Sequence, residues 1–241
     1  MRYLPLLFLW GLTLFACGDD DEAAPAAATS QSVDPIGALD RGAVLISATV
    51  VSAPPVTVPG LPAIDIALDV PVAVFYTNGN AVDAGAVTID GQALSQQGNT
   101  YTVAADFANP STALVNYDQR AWAVAGGGAV PALDITPNRA QPTLGTVTAE
   151  AEVVAGTPYT ISVSAINNAD SVYYLLGGVV KRFGANVRSA TFSPDDIARA
   201  QTQGGQTVAQ VAAFVIEERT VDGFPVFLVG EAVNNKFVTI N

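Results

Sequence analysis

The sequence predicts an all-β protein built from β-sandwich domains, and three observations point to it. Apolar residues recur at every second position, most clearly at Ile64, Ile66, Leu68, Val70, Val72, Val74 and Tyr76, and a period of two puts such a set on one face of a strand. The runs are short and end in turn pairs such as Asp90-Gly91, Gln97-Gly98 and Asp222-Gly223, the punctuation of a sandwich. One segment alone, Ser193-Pro194-Asp195-Asp196, has the capping serine, first-turn proline and acids that start a helix.

The chain opens on Met1-Arg2 and an apolar run from Tyr3 to Ala16 of 14 residues. A helix needs about 20 apolar residues to cross a bilayer, so the run fits a signal peptide instead. It ends in Leu14-Phe15-Ala16-Cys17, which holds the only cysteine and resembles the lipobox of bacterial lipoproteins. That resemblance implies cleavage between Ala16 and Cys17, a diacylglycerol on the Cys17 thiol and an acylated amine. An ordinary secretory signal beside a lone cysteine is the alternative, and it leaves an unpaired, oxidisable thiol to explain. Two or three acyl chains anchor stably where one holds marginally. The expected location is therefore the cell envelope, tethered to the outer membrane and facing either the periplasm or the surface. Gly18 follows the cysteine, in place of the aspartate that resembles an inner-membrane retention signal. Asp19-Asp20-Asp21-Glu22 resembles a surface-directing tag and reads equally as a solvated spacer.

From Gly18 to Pro35 the composition is acidic and then rich in Ala, Pro, Ser and Thr, which predicts a stalk without a core. The first sandwich is placed at 36–136. It begins with the alternation from Ala43 to Val51, broken by Pro54-Pro55 and Pro59-Gly60. In the next strand Pro71 cannot donate to a ladder and predicts an edge or a bulge. Shorter strands follow at Ala86–Asp90, Thr100–Ala105, Thr112–Tyr117, Ala121–Ala125 and Ala129–Ile135, and Trp122 is expected in the core. Asn109-Pro110 and Gly126-Gly127-Gly128 separate them.

Pro137-Asn138 and Pro142 mark the boundary of a second sandwich at 137–241. Its strands are expected at Thr146–Val154, Tyr159–Ala165, Ser171–Leu176 and Val179–Phe183, the last two joined by Gly177-Gly178, a two-residue hairpin signal. After the short helix, which Gly204-Gly205 should stop, a long strand from Val208 enters Asp222-Gly223. Phe224, Val226 and Leu228 return from it, and Phe237, Val238 and Ile240 form a last strand. The order strand, short helix, long strand resembles the crossover of immunoglobulin-like domains. Together the halves are similar to envelope lipoproteins with tandem sandwich modules, a likeness that implies no activity. A single larger sandwich is the alternative.

Composition removes several function classes. The chain carries 22 acidic residues against 10 basic ones, a formal charge of −12, with lysine only at Lys181 and Lys236. Nucleic-acid binding depends on cationic side chains releasing counterions and is excluded. Histidine is absent, which removes histidine-activated nucleophiles, imidazole acid–base chemistry and His-rich zinc sites. No motif calls for a phosphate or dinucleotide cofactor, and none is expected.

What remains is carboxylate chemistry. Asp65 and Asp69, with Asp90, could act as an acid–base pair on a glycosidic bond, but their alternation with apolar residues already accounts for them as a solvated strand face. The acidic segments at Asp19–Glu22, Asn78–Asp83, Asn167–Asp170 and Asp195-Asp196 offer oxygen ligands without the spacing of a calcium loop. The expectation is a non-catalytic binding or structural module with a protein or glycan partner. The alternatives are a carboxylate-dependent glycan enzyme and an assembly subunit that pairs a strand edge.

Overall fold

The structure, a computed structural model, describes residues 41–56, 64–103, 119–200, 202 and 205–241. The leader with Ala16 and Cys17, the stalk, the breaks at Pro59-Gly60 and Asn109-Pro110, Gly204 and the strand expected at 112–117 lie outside them. The described part is all-β with one short helix. In chain order its first half contributes β1 (Gly42–Val56), β2 (Ile64–Thr77), β3 (Asn80–Val82), β4 (Val87–Ile89), β5 (Gln92–Ala93), β6 (Ser95–Gln97), β7 (Thr100–Thr102), β8 (Trp122–Val124) and β9 (Leu133–Ile135). Then come β10 (Thr143–Leu144), β11 (Val147–Thr148), β12 (Glu152–Val153), β13 (Tyr159–Val163), β14 (Ile166–Asn167), β15 (Ser171–Leu176), β16 (Val179–Gly184) and β17 (Ser189–Phe192). The chain ends with α1 (Pro194–Arg199), β18 (Gln206–Val221) and β19 (Phe224–Ile240).

One long sheet runs through both halves in the order β16-β15-β18-β19-β1-β2-β7-β6. Its seam is β1 against β19, a parallel pair from Ala43↔Val226 to Ala53↔Lys236, and where β1 leaves β19 the short β12 takes its place at Glu152↔Thr239. Two small sheets, β5-β4-β8-β9 and β11-β13-β17, supply the opposing layers. The cross-strand register sorts the side chains by face, since opposed residues share one.

On the inner face Ala43, Leu45, Ala73, Phe75, Val226 and Leu228 join Ile89, Trp122, Leu133 and Ile135 in a first core. Farther along the same face Val172, Tyr174, Leu176, Ala209, Val211 and Val238 join Ile161, Val163, Phe192 and Ile197 in a second. The described part is thus sandwich packing on two parts of one sheet. Strands past Pro137 return to the first core, so the halves are not independent layers.

The elements follow local chemistry where it is strong. Gly177 and Gly178 both take positive φ, 54° and 91°, as a two-residue turn between β15 and β16 requires. Ser193 caps α1: its side chain accepts from the Asp196 N–H while Asp196 accepts from the Ser193 N–H, a capping box that satisfies two orphan donors. Ile197 is buried and Ala200 packs against the second core, as the sequence predicts. Trp122 is 1% exposed. Pro71 lies opposite Ser47 on β1 and just outside the pairing with β7, which covers Val72 to Val74.

Five expectations need correction. Pro54-Pro55 do not end the first strand, because β1 runs through them to Val56 and takes them up in a register shift against β2 between Ser52 and Val56. The strand expected at Thr146–Val154 is two, because β11 pairs with β13 and β12 with β19. Between them the chain changes sheets, and the carbonyls of Ala149, Glu150 and Ala151 are taken by Lys236 Nζ, Tyr159 Oη and the Thr239 N–H. The strand at Ala129–Ile135 shortens to β9, because Gly127 and Val130 close a tight turn and Pro131 follows. The return from Asp222-Gly223 and the last strand are one element, β19, whose polar middle is held by ladders to β18 and β1. The helix ends at Arg199, where Ala200 already has extended backbone, ahead of the glycines expected to stop it.

Candidate functional site

A polar cluster lies where the linker after β9 crosses the inner face of the long sheet. Asp90 accepts the N–H groups of Gln119, Arg120 and Ala121 at 3.3, 3.1 and 2.7 Å, and so holds Arg120 at φ 53°, a conformation that costs a non-glycine residue energy unless its surroundings impose it. This turn aims the Arg120 guanidinium at Gln141 Oε1 (2.7 Å) and the Arg139 carbonyl (2.8 Å). Burial lowers the Arg120 pKa, with Asp90 and Glu217 opposing. Gln141 in turn donates to the carbonyls of Ser47 and Glu231 across the β1–β19 seam.

Arg139 continues the clamp. Its guanidinium forms a two-pronged pair with Asp170 at 2.5 and 2.8 Å, and Asp170 also accepts from the Ile216 N–H. Glu217 accepts from the N–H groups of Asn138 and Arg139 and pairs with Arg219. The Arg139 hydrogen bond holds Asp170 below the usual carboxylate range. Burial works against the charge on Glu217, but Arg219 and the two N–H donors outweigh it and lower its pKa too. Between these groups and Leu45, Trp122 and Leu228 is a void of about 10 Å³, room for about one water.

Gly230 makes the crossing possible. A Cβ there would meet Val215 Cγ1 at 2.8 Å, Gln141 Oε1 at 2.9 Å and Pro142 Cδ at 3.0 Å. Only a hydrogen lets the linker lie against the seam at that height. Chemically the cluster can clamp but offers no poised reagent: each ionised oxygen in it already accepts hydrogen bonds.

The acids singled out in the sequence are placed in separate structural roles. Asp69 accepts from Thr49 Oγ1 at 2.7 Å, Asp90 caps the turn before β8, and the Asp65 side chain lies outside the described residues. In the acidic turns, Asp83 takes the Tyr101 hydroxyl (2.6 Å) and the Gly85 N–H (2.7 Å), and Asp170 belongs to the clamp. Asp196 pairs with Lys181 and Arg199, both at 2.8 Å. Among the described residues no three His, Cys, Asp or Glu side chains gather as a cation cage.

The outer face of the long sheet holds a residue the sequence reading passed over. Val44, Tyr173, Ala212, Phe214, Phe227, Val229 and Val233 form a third buried cluster there, and among the described residues all its members come from the sheet itself. In the middle stands Glu231, opposite Phe214 on β18 and Ala48 on β1 and flanked along β19 by Val229 and Val233. Its carboxyl has no ion pair or hydrogen bond among the described residues, and burial pushes it up to about 7. Part of its surface still reaches solvent, which gives a proton a way in. The other displaced carboxyls among the described residues, those of Asp83, Asp170, Asp196 and Glu217, all move down. The signal was legible: Phe227, Val229, Glu231 and Val233 alternate at period two, with an acid where an apolar residue is due. Arg120 and Arg139 carried no comparable signal, since their partners are distant in sequence.

No protein-family model and no curated protein matches the chain's sequence.

Proposed function

We propose that the chain is a lipid-anchored protein of the bacterial envelope, a non-catalytic binding or structural module held to the outer membrane through Cys17. The observation that carries this reading is Leu14-Phe15-Ala16-Cys17 at the end of a short apolar run with a charged start, similar to a lipobox. The described acids add support for a non-catalytic role, because Asp69, Asp83, Asp90, Asp170 and Asp196 each accept structural hydrogen bonds. A carboxylate-pair enzyme needs one acid kept protonated beside a second, and the one carboxyl raised among them, Glu231, faces apolar neighbours.

Edge pairing has less in its favour. Strand β16 ends the long sheet among the described residues and carries Lys181 and Arg182, charges of the kind that blunt an edge against a further strand.

Mass spectrometry of the protein isolated from its own envelope tests the anchor. The expected product begins at Cys17 and carries diacylglycerol and an amide-linked acyl chain, and Cys17→Ser leaves the leader in place or releases the chain from the membrane fraction. An unmodified Cys17 thiol in the native product sinks the proposal.

A further inference from the structure

We propose that the groove between the turn after β8 and the tip of the β18–β19 hairpin docks a lysine or arginine side chain of a basic partner protein, with Asp222 as counter-ion and Phe224 as apolar wall. The inference rests on the binding-module half of the reading above and names its ligand. Two turn signals far apart in the sequence, Gly126-Gly127-Gly128 and Asp222-Gly223, meet here at one end of the first sandwich. Residues 128–131 and 222–224 line an open groove of about 320 Å³, within the size range of ligand sites. Both walls are set by the fold. Gly127 and Val130 exchange hydrogen bonds at 3.0 Å, Val130 is buried in the first core, and a Cβ on Gly126 would meet the Ala132 nitrogen at 2.7 Å. Across the groove Asp222 and Gly223 hold positive φ of 50° and 81°, a two-residue turn that matches the strand twist, and Phe224 packs against the same core. Binding therefore has little ordering cost here.

The lining selects the ligand. Asp222 is exposed, and its carboxylate has no hydrogen bond or ion pair among the described residues. The cations on the neighbouring strand ends are engaged elsewhere: Arg219 pairs with Glu217, and Arg41 pairs with Glu218 over the Phe227 ring. The rest of the lining is the backbone of Gly128 and Ala129 and the apolar surface of Val130, Pro131 and Phe224. A carboxylate beside an aromatic wall suits a cation carried on an apolar stem, because the stem covers the wall while the charged head reaches Asp222. An anion would meet no side-chain cation in this lining, and a metal ion would find one carboxylate where it needs several oxygens. A sugar would find a single hydrogen-bonding side chain. The formal charge of −12 draws a basic partner toward the chain as a whole.

The test titrates the full chain, isotope-labelled and held in detergent, with a blocked peptide of one arginine among alanines, and follows backbone amides by NMR. A second peptide carries citrulline, which keeps the shape of arginine and loses its charge. The expected result is saturable shifts confined to 128–130 and 222–224, with a Kd of about 1 mM. Citrulline in place of arginine, Asp222→Asn and Phe224→Leu each weaken binding by about three- to fivefold. Asp222→Asn keeps the turn, because asparagine also tolerates positive φ. Shifts that spread equally over exposed acids elsewhere, such as Asp134 and Asp195, binding unchanged by Asp222→Asn, or no saturable shift at about 20 mM peptide overturns the site. So do shifts here with chitotetraose and none with the arginine peptide, which would assign the groove to a glycan. Each of these results leaves the Cys17 anchor standing, because the mass of the mature chain decides that reading separately.

Discussion

At the scale of single residues, the carboxyls divide into two groups that pull stability in opposite directions with pH. Asp170, Asp196 and Glu217 are held below their ordinary range. The native state therefore binds their protons less readily than the unfolded chain, and the stability they add is present above about pH 4 and is lost as pH falls. Glu231 has the reverse sign. Its folded value is raised to about 7 from 4.5, so the contribution is full below the unfolded value and is lost as pH rises to about 7. At about 1.4 kcal/mol per unit the loss is at most about 3.5 kcal/mol. Urea titrations from pH 3 to pH 9 should give a maximum near pH 5. Glu231→Gln should flatten the descending limb between pH 5 and pH 8 and leave the acid limb in place. A wild-type limb that stays flat over that interval contradicts the burial of this group.

At the scale of elements, local chemistry and long-range pairing contributed unequally to what the sequence revealed. The hairpin at Gly177-Gly178 and the helix start at Ser193 were readable because their causes lie within a few residues. The continuity of β19 was not, since Gly230, Asn234, Asn235 and Lys236 have poor strand propensity and are held extended by β1, more than 170 positions earlier. The break between β11 and β12 was hidden for the same reason, as Lys236 and Thr239, distant in sequence, take the carbonyls of Ala149 and Ala151. Of the clamp, the sequence showed only that 136–142 is irregular. Gly230 is where this gap is best probed. Gly230→Ala places a methyl against Val215, Gln141 and Pro142, and overpacking of this kind destabilises by about 1–3 kcal/mol. The expected midpoint shift in urea is of that size and grows smaller in Gly230→Ala combined with Gln141→Ala, because part of the crowding comes from the Gln141 side chain. Equal, additive losses in the double variant would show that the linker does not press on the seam.

At the scale of the whole described molecule, the question is whether the two cores fold as one body. A chain of separate tandem sandwiches lets one module melt while the other persists, since few contacts cross a linker. Here β18 and β19 together feed both cores: Val226 and Leu228 belong to the first, Ala209, Val211 and Val238 to the second. The ladder between them is unbroken from Gln206↔Thr239 to Val221↔Phe224, and the crossing linker is tied to it by Gln141 and Arg139, which donate to the carbonyls of Glu231 and Ile216, and by the Asn138 and Arg139 N–H groups, which donate to Glu217. Losing one core therefore strips one face from strands the other core needs. Trp122→Ala, in the first core, and Phe192→Ala, in the second, each remove a side chain that is 1% and 0% exposed, a change worth about 3–5 kcal/mol. Calorimetry of either variant should show one transition at a lowered temperature, with Trp fluorescence in Phe192→Ala melting together with the far-ultraviolet β signal. Two resolved transitions, one kept at the wild-type temperature in each variant, would mean that the shared sheet does not couple the cores.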